Sequence, residues 1–153
     1  MTGFVQDAKR CDLAEILSVQ KAAFSPIAAM LHKETLPPLL HTLTDIEADF
    51  EKQLIFKYSL DGRIVGSVRA YVDDQNVCHI DKLVVLPQYQ SCGIGKALMQ
   101  AVHERFSDCA LFELFTSKNI AHIVDFYRKL GYAETHSQPV EGDCLVYLQR
   151  KNK

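Results

Sequence analysis

Residues 79–106, HIDKLVVLPQYQSCGIGKALMQAVHERF, combine the features of a strand, a glycine-containing turn and a helix. The first part is apolar and β-branched, which is typical of a strand, and Pro87 ends it. From Gly93 onward, apolar residues recur at helical spacing, namely Ile94, Leu98, Ala101, Val102 and Phe106. The free N–H groups at the start of such a helix attract negative charge, so this unit predicts an anion-binding site.

The turn itself, QSCGIG at positions 90–95, departs from two well-known phosphate-binding motifs. A P-loop needs Ser or Thr after its Gly-Lys pair, but Ala97 follows Gly95 and Lys96 here. A dinucleotide-binding turn needs a third glycine, and Leu98 occupies that place. The two glycines either serve the geometry of the turn or remove Cβ atoms where the backbone approaches a ligand.

The remaining pattern, Gln-x-x-Gly-x-Gly after an apolar strand, resembles the acetyl-CoA motif of the GNAT acyltransferases. A second block, FYRKLGY at positions 126–132, resembles the end of that family's late helix. The order of the predicted elements matches the family over nearly the whole chain, although the specific motifs occupy only these two blocks. The resemblance implies that residues 1–153 form a single N-acetyltransferase domain.

The resemblance also implies a reaction. The acetyl group of acetyl-CoA would pass to a primary amine, which attacks the thioester directly in a ternary complex. The acceptor would be a small molecule or a peptide, no metal would take part, and a homodimer is left open. The alternative is a non-catalytic acyl-CoA-binding module that acts as a sensor or scaffold, because a fold alone does not establish an activity.

Hydrophobic periodicity predicts an α/β fold with one mixed sheet of six or seven strands and helices on both faces. The predicted order is a strand, two helices, three strands, a helix, a strand, a helix and two final strands. Asp61-Gly62 predicts a tight hairpin between the first two of the three consecutive strands. In the GNAT fold, the strands that end at Val85 and Thr116 separate, and CoA lies in the opening.

Several helix boundaries follow from single residues. Asp12, with Glu15 three positions later, is expected to cap the first helix, and Pro26 is expected to end or kink it. Thr44, with Glu47 three positions later, predicts the start of the second helix. The last two strands are expected to be joined by a loop that contains Pro139 and Gly142.

By resemblance, twelve residues contact the acyl donor: Leu83, Val84, Val85, Gln90, Ser91, Cys92, Gly93, Ile94, Gly95, Lys96, Asn119 and Phe126. The backbone of the first three would pair with the pantetheine arm, and the amide of Val85 would stabilise the thioester oxyanion. Asn119 lies one residue out of the family's usual register, so a helix cap is the alternative for it.

Three residues are predicted to be catalytic. Tyr127 matches the family's tyrosine that serves the departing thiolate, although its position on an apolar helix stripe also suits a core aromatic. His79 and Asp81 are the candidate general bases, because their strand parity places them with Leu83 and Val85 unless a bulge intervenes. A chain of water molecules is the alternative route for the proton.

The acceptor pocket is expected between residues 24–50 and the outward face of residues 68–81. Four acids there, Glu34, Asp45, Glu47 and Asp49, could attract a cationic amine, or could simply be solvated helix residues.

The amino-acid composition indicates which classes of partner and which cellular compartment to expect. The 153 residues are 48% apolar with a net charge of −2, which argues against a nucleic-acid or membrane-surface partner. The five cysteines are odd in number and widely spaced, without the spacing of a zinc site. We therefore expect reduced thiols and a cytoplasmic protein.

Overall fold

The computed structural model describes residues 3–152. The strands are β1 (Gly3–Asp7), β2 (Leu54–Leu60), β3 (Arg63–Val72), β4 (Val77–Val85), β5 (Leu111–Ser117), β6 (Ala133–Val140) and β7 (Asp143–Lys151). The α-helices are α1 (Leu13–Met30), α2 (Pro37–Leu40), α3 (Leu43–Lys52), α4 (Ile94–Arg105) and α5 (Ala121–Lys129). All seven strands form one sheet in the order β1-β2-β3-β4-β5-β7-β6, so the predicted α/β fold is confirmed, with the short α2 as an additional helix.

Contacts on β3 indicate that helices cover both faces of the sheet. A Cβ added to Gly66 would lie 3.1 Å from Leu98 of α4. Arg69, three residues later, points to the opposite face and hydrogen-bonds Gln20 of α1 and Asp49 of α3. Between Gly3 and Asn152, none of the helices has the length and apolar character that a membrane span requires.

Strands β4 and β5 separate soon after they begin. They are the parallel pair of the sheet, and they pair only where residues 77–79 face residues 111–113. Beyond His79 and Glu113 the two strands continue without pairing with each other, to Val85 and Ser117. The resulting wedge-shaped opening lies in the middle of the sheet, as the resemblance implied.

A β-bulge in β4 corrects the predicted strand parity. Asp81 pairs with Arg69 and Val84 with Ser67, so two residues of β4 face the single residue between Ser67 and Arg69. The first of those two, Lys82, has a positive φ of 53°. The extra residue moves the side chains of His79 and Asp81 to the face of Val84, so the shared parity with Leu83 and Val85 was wrong.

Helix α1 continues through Pro26 and ends at Met30, so the expectation that proline ends it was wrong. An interior proline removes one helical hydrogen bond and costs about 3 kcal/mol. Buried residues along the helix, including Leu13, Ile16 and Val19, offset this cost by packing into the core.

The predicted helix caps also differ from the observed ones. The capping box of α3 uses Thr42 and Asp45, two residues before the predicted pair. Asp12 accepts hydrogen bonds from the Lys9 amide and the Lys57 ammonium, whereas Glu15 accepts one from the Ile64 amide. Asp12 is the N-cap residue of α1, as predicted, but its side chain makes no capping hydrogen bond. Asp12 and Glu15 therefore connect α1 to the sheet and do not form a capping box.

The last two strands form a tight hairpin. Val140 pairs with Asp143, so the turn consists of Glu141 and Gly142, and Gly142 has a φ of +73°. Pro139 lies inside β6, in contrast to the predicted loop. Because β6 is an edge strand, the missing N–H of proline is tolerated there.

Candidate active site

The turn between β4 and α4 holds its backbone open toward a cavity. Gly93 caps α4 with a φ of +84°, and a Cβ added there would find no heavy atom within 4 Å. A Cβ added to Gly95 would instead lie 3.4 Å from the ring of Phe126. The side-chain amide of Gln90 donates to the carbonyl of Val85 over 3.0 Å, which ties the turn to the end of the strand.

A cavity of about 410 Å³ lies beside this turn, and we call it the turn cavity. The elements around it are α1, the end of β4, the start of α4 and one face of α5. Every residue predicted to contact the acyl donor lines it except Cys92 and Asn119. The structure thus brings together residues that are more than forty positions apart in the sequence, while their roles stay predictions.

A second cavity of about 520 Å³ lies in the opening between β4 and β5, and we call it the wedge cavity. Its walls come from residues 31–38, residues 80–83, residues 114–117 and the β6–β7 hairpin. The strand that ends at Thr116 was expected as one side of the opening, but the sequence did not predict the residues of the β6–β7 hairpin. They reach the site through long-range strand pairing, which leaves no local pattern in the sequence.

Tyr127 belongs to the walls of both cavities. It is 8% exposed, and its ring packs edge-on against Phe126 and Tyr132. None of residues 3–152 hydrogen-bonds its hydroxyl group. Burial, together with the negative charge of Asp81, raises the pKa of Tyr127 well above that of a free phenol.

The end of β4 presents an amide to the opening. The N–H of Leu86 donates to the carbonyl of Val65 on β3. Successive amides of an extended strand point to opposite sides, so the N–H of Val85 points away from β3 and into the opening. This direction suits the predicted role of Val85 as a donor to a carbonyl oxygen.

The two candidate bases lie in different places. Asp81 lines the wedge cavity, and its carboxylate lies 2.8 Å from the ammonium of Lys82. His79 lies outside both cavity walls, with Nε2 2.7 Å from a carboxylate oxygen of Asp73 and its ring stacked on Tyr71. Of the two, the structure therefore brings only Asp81 near Tyr127.

Two of the residues that were predicted to contact the acyl donor line neither cavity. Cys92 is exposed in the turn. The side chain of Asn119 donates to Asp143 over 2.9 Å, and Ile120 is the N-cap of α5. The helix-cap interpretation of Asn119 was therefore wrong.

Three of the acids expected in the acceptor pocket have other partners. Asp45 caps α3, Glu47 lies 3.6 Å from Arg10, and Asp49 binds the buried Arg69 over 2.8 Å. Neither these acids nor Glu34 line the wedge cavity. Of the two interpretations of these acids, that of helix residues without a ligand therefore agrees with the structure, since a helix carries its acids toward structural partners as readily as toward a ligand.

Solved structures of other proteins share this fold. PaiA N-acetyltransferase of Thermoplasma acidophilum, in a structure with coenzyme A, has a TM-score of 0.84 at 14% identity, with 99% of each chain covered. YncA of Salmonella typhimurium, in a structure with acetyl-CoA, has a TM-score of 0.80 at 16% identity, with 100% of this chain and 95% of YncA covered. At these identities the likeness establishes the fold alone.

Two relatives from Bacillus subtilis (strain 168) resemble the sequence. UPF0157 protein YqkA is 28% identical over 137 residues, which are 90% of this chain and 39% of YqkA. Uncharacterized protein YrkN is 26% identical over 147 residues, covering 86% of this chain and 77% of YrkN. The chain thus spans about two fifths of the length of YqkA.

A family model described as the acetyltransferase (GNAT) domain matches residues 28–150. The matched segment includes both cavities' strand walls, the glycine turn and α5. Since the match covers most of the chain, the protein belongs to the GNAT acetyltransferase family.

Proposed function

We propose that this protein transfers the acetyl group of acetyl-CoA to a primary amine, which attacks the thioester directly in a ternary complex. The observation that carries the proposal is the position of Tyr127, whose ring lines both cavities at the opening between β4 and β5. A donor in the turn cavity and an acceptor in the wedge cavity would meet beside one hydroxyl group. The chain would act as a single catalytic domain.

The turn cavity fits the chemistry of a CoA diphosphate. Gly93 opens onto free space at the start of α4, where helix N–H groups favour an anion, and Lys96 adds a cation to the same wall. The unpaired edge of β4 offers backbone groups to the pantetheine arm, as an added strand would. The structures of PaiA with coenzyme A and YncA with acetyl-CoA share the fold, which supports acetyl-CoA as the donor.

The acceptor must lose a proton before it reacts, since an ammonium group with a pKa near 10.4 has no free lone pair at neutral pH. The nitrogen then bonds to the carbonyl carbon of the thioester, and the N–H of Val85 would stabilise the charge that develops on oxygen. The C–S bond breaks, the nitrogen releases its second proton, and the thiolate gains one. Overall, an ammonium and acetyl-CoA become an amide, the CoA thiol and one proton.

Two side chains are proposed to handle these protons. Tyr127 remains a neutral phenol, because its raised pKa keeps the proton on oxygen, and it would donate a hydrogen bond to the departing sulfur. Asp81 is the better placed of the two candidate bases, since it lines the wedge cavity. Ordered water is the alternative carrier of the amine proton.

Binding and turnover together test the proposal. Acetyl-CoA should bind by calorimetry and raise the melting temperature, as a ligand of the native state does. Amine-dependent release of CoA thiol, measured across a panel of amines, would support the enzyme. Binding without release from any amine would favour the sensor or scaffold, and no binding at millimolar acetyl-CoA would exclude both.

A further inference from the structure

The wedge cavity is walled mainly by apolar side chains from four separate parts of the chain. Leu31 and Leu36 lie on one side, Ile80 and Leu114 on the two strands, and Leu145 on β7. The volume of about 520 Å³ falls in the range of small-molecule sites. A molecule that fills this cavity therefore has to present apolar surface over most of its length.

Two carboxylates of the cavity wall, Asp81 on β4 and Asp143 on β7, already have partners. Asp81 lies 2.8 Å from the ammonium of Lys82. Asp143 accepts hydrogen bonds from the Ser117 hydroxyl at 2.8 Å and from the Asn119 amide at 2.9 Å. Lys82 balances the charge of Asp81, but the two partners of Asp143 are neutral, so Asp143 keeps one negative charge in the wall.

The hairpin side of the cavity carries one further acid and one further base. Glu141 and Lys33 both line it. Lys33 lies against the tip of the hairpin, with its Cε 3.1 Å from the position that a Cβ on Gly142 would take. The wall thus carries three acids (Asp81, Glu141 and Asp143) and two lysines (Lys33 and Lys82), and its net charge of −1 suits one ammonium group rather than the several of a polyamine or a basic peptide.

We propose that the acceptor is a monoamine carried on one apolar body, of the phenylalkylamine or alkylamine type. This inference rests on the proposed function, which places the acceptor in the wedge cavity. The ammonium group would lie beside Asp81 and Tyr127. The apolar body would lie against Leu31 and Leu36, where burying it supplies the binding free energy.

Calorimetry on the full chain saturated with CoA tests the proposal without requiring turnover. The amine 3-phenylpropylamine is expected to bind at least tenfold more tightly than spermidine. Leu31→Trp, which adds bulk inside the wedge cavity only, should weaken phenylpropylamine binding at least tenfold and leave CoA affinity unchanged. Leu40→Trp is the matched control, because Leu40 is 65% exposed and lies outside both cavities.

The outcomes separate this inference from the proposed function. Equal or tighter binding of spermidine would overturn the inference, as would unchanged phenylpropylamine affinity in a Leu31→Trp protein with the parent's circular dichroism spectrum. Phenylpropylamine binding without any acetyl transfer would support the ligand class and contradict the enzymatic function. If CoA itself fails to bind, the same amine titrations on the free protein still decide the ligand class.

Discussion

The ring of Tyr127 is largely buried in the walls of both cavities, where a bound ligand would supply a hydrogen bond to its hydroxyl group. Tyr127→Phe removes only this group. Turnover should fall by roughly 10²-fold while CoA affinity is nearly kept, because the hydrogen bond would form as the thiolate departs. Steady-state kinetics and calorimetry on the same preparation measure both quantities.

Tyr132→Phe is the matched control for this prediction. Its hydroxyl lies 2.7 Å from Nε2 of His103, so the variant should lose about 1 kcal/mol of unfolding free energy and keep most of its turnover. Parent-like turnover in Tyr127→Phe would limit Tyr127 to a core role.

Substitutions of the two candidate bases are expected to affect kcat/KM differently. Asp81→Asn removes a carboxylate from the wedge cavity, so kcat/KM for the amine should fall by at least about tenfold. His79→Ala should change kcat/KM by less than about threefold, because Asp73 holds that ring outside both cavities. Initial rates at low amine concentration, measured between pH 6 and 9, test both variants.

A different result would assign the proton to histidine. If kcat/KM of the parent rises with pH and His79→Ala lacks that rise, His79 is the base despite its position. If both single variants and the double variant keep the parent pH profile, the proton leaves through water.

At the scale of elements, β4, the glycine turn and α4 form one strand–turn–helix unit. We expect its affinity for CoA to depend on the backbone of Gly93. Gly93→Ala should lower CoA affinity at least tenfold, about 1.4 kcal/mol, because its Cβ would enter the space offered to phosphate. Gly62→Ala in the β2–β3 hairpin is the matched control. Gly62 has a similar φ of +78° and equally open surroundings, so both variants bear the same backbone strain.

Calorimetry with CoA, and unfolding in denaturant, separate affinity from strain in these two variants. We expect the two variants to lose the same free energy of unfolding, and Gly93→Ala alone to lose CoA affinity. If Gly93→Ala binds CoA as Gly62→Ala does, the diphosphate lies elsewhere.

Elements with strong local patterns could be predicted from the sequence, and those decided by packing could not. Strand β4 ends at Val85 as predicted, since Pro87 follows its apolar residues. The bulge at Lys82 escaped prediction because a lysine with positive φ has no signature in the sequence. Helix α1 passes Pro26 because core contacts outweigh a local preference.

At the scale of the molecule, His103 joins α4 to β7 and to Tyr132, the residue that precedes β6. Its Nδ1 accepts a hydrogen bond from Arg150, and its Nε2 lies 2.7 Å from the Tyr132 hydroxyl. Burial, assisted by the positive charge of Arg150, lowers the pKa of His103 to about 4. The neutral imidazole is therefore the form that the folded protein favours.

Stability should follow the protonation of this group. A histidine with a lowered folded pKa contributes full stability above its unfolded value near 6.5, and this contribution is lost as the pH falls toward 4. The free energy of unfolding should drop by about 2 kcal/mol between pH 7 and pH 4.5. Denaturant titrations at several pH values measure the drop.

The variant His103→Gln should show a smaller drop over the same pH range. The part of the drop that persists in this variant is expected from His41, whose pKa is also lowered, chiefly by burial. An identical drop in the parent and His103→Gln would show that other groups cause the pH dependence.

Only part of the wedge cavity could be predicted from the sequence, because its walls come from distant parts of the chain. Its walls come from residues 31–38, the two diverging strands β4 and β5, and a hairpin whose strand β7 pairs with β5 but not with β4. The turn cavity, by contrast, is built largely around one continuous stretch, and most of its predicted residues do line it.

Strands β4 and β5 pair only where residues 77–79 face residues 111–113, and this short pairing has a consequence for amide hydrogen exchange. Sheet interiors normally exchange slowly, but the N–H of Val85 faces an opening while the next amide, that of Leu86, bonds to β3. In the free protein, Val85 should therefore exchange much faster than Leu86, although the two are adjacent in the middle of the sheet. Saturating acetyl-CoA should slow the exchange of Val85 and join the two halves of the sheet into one cooperative unit.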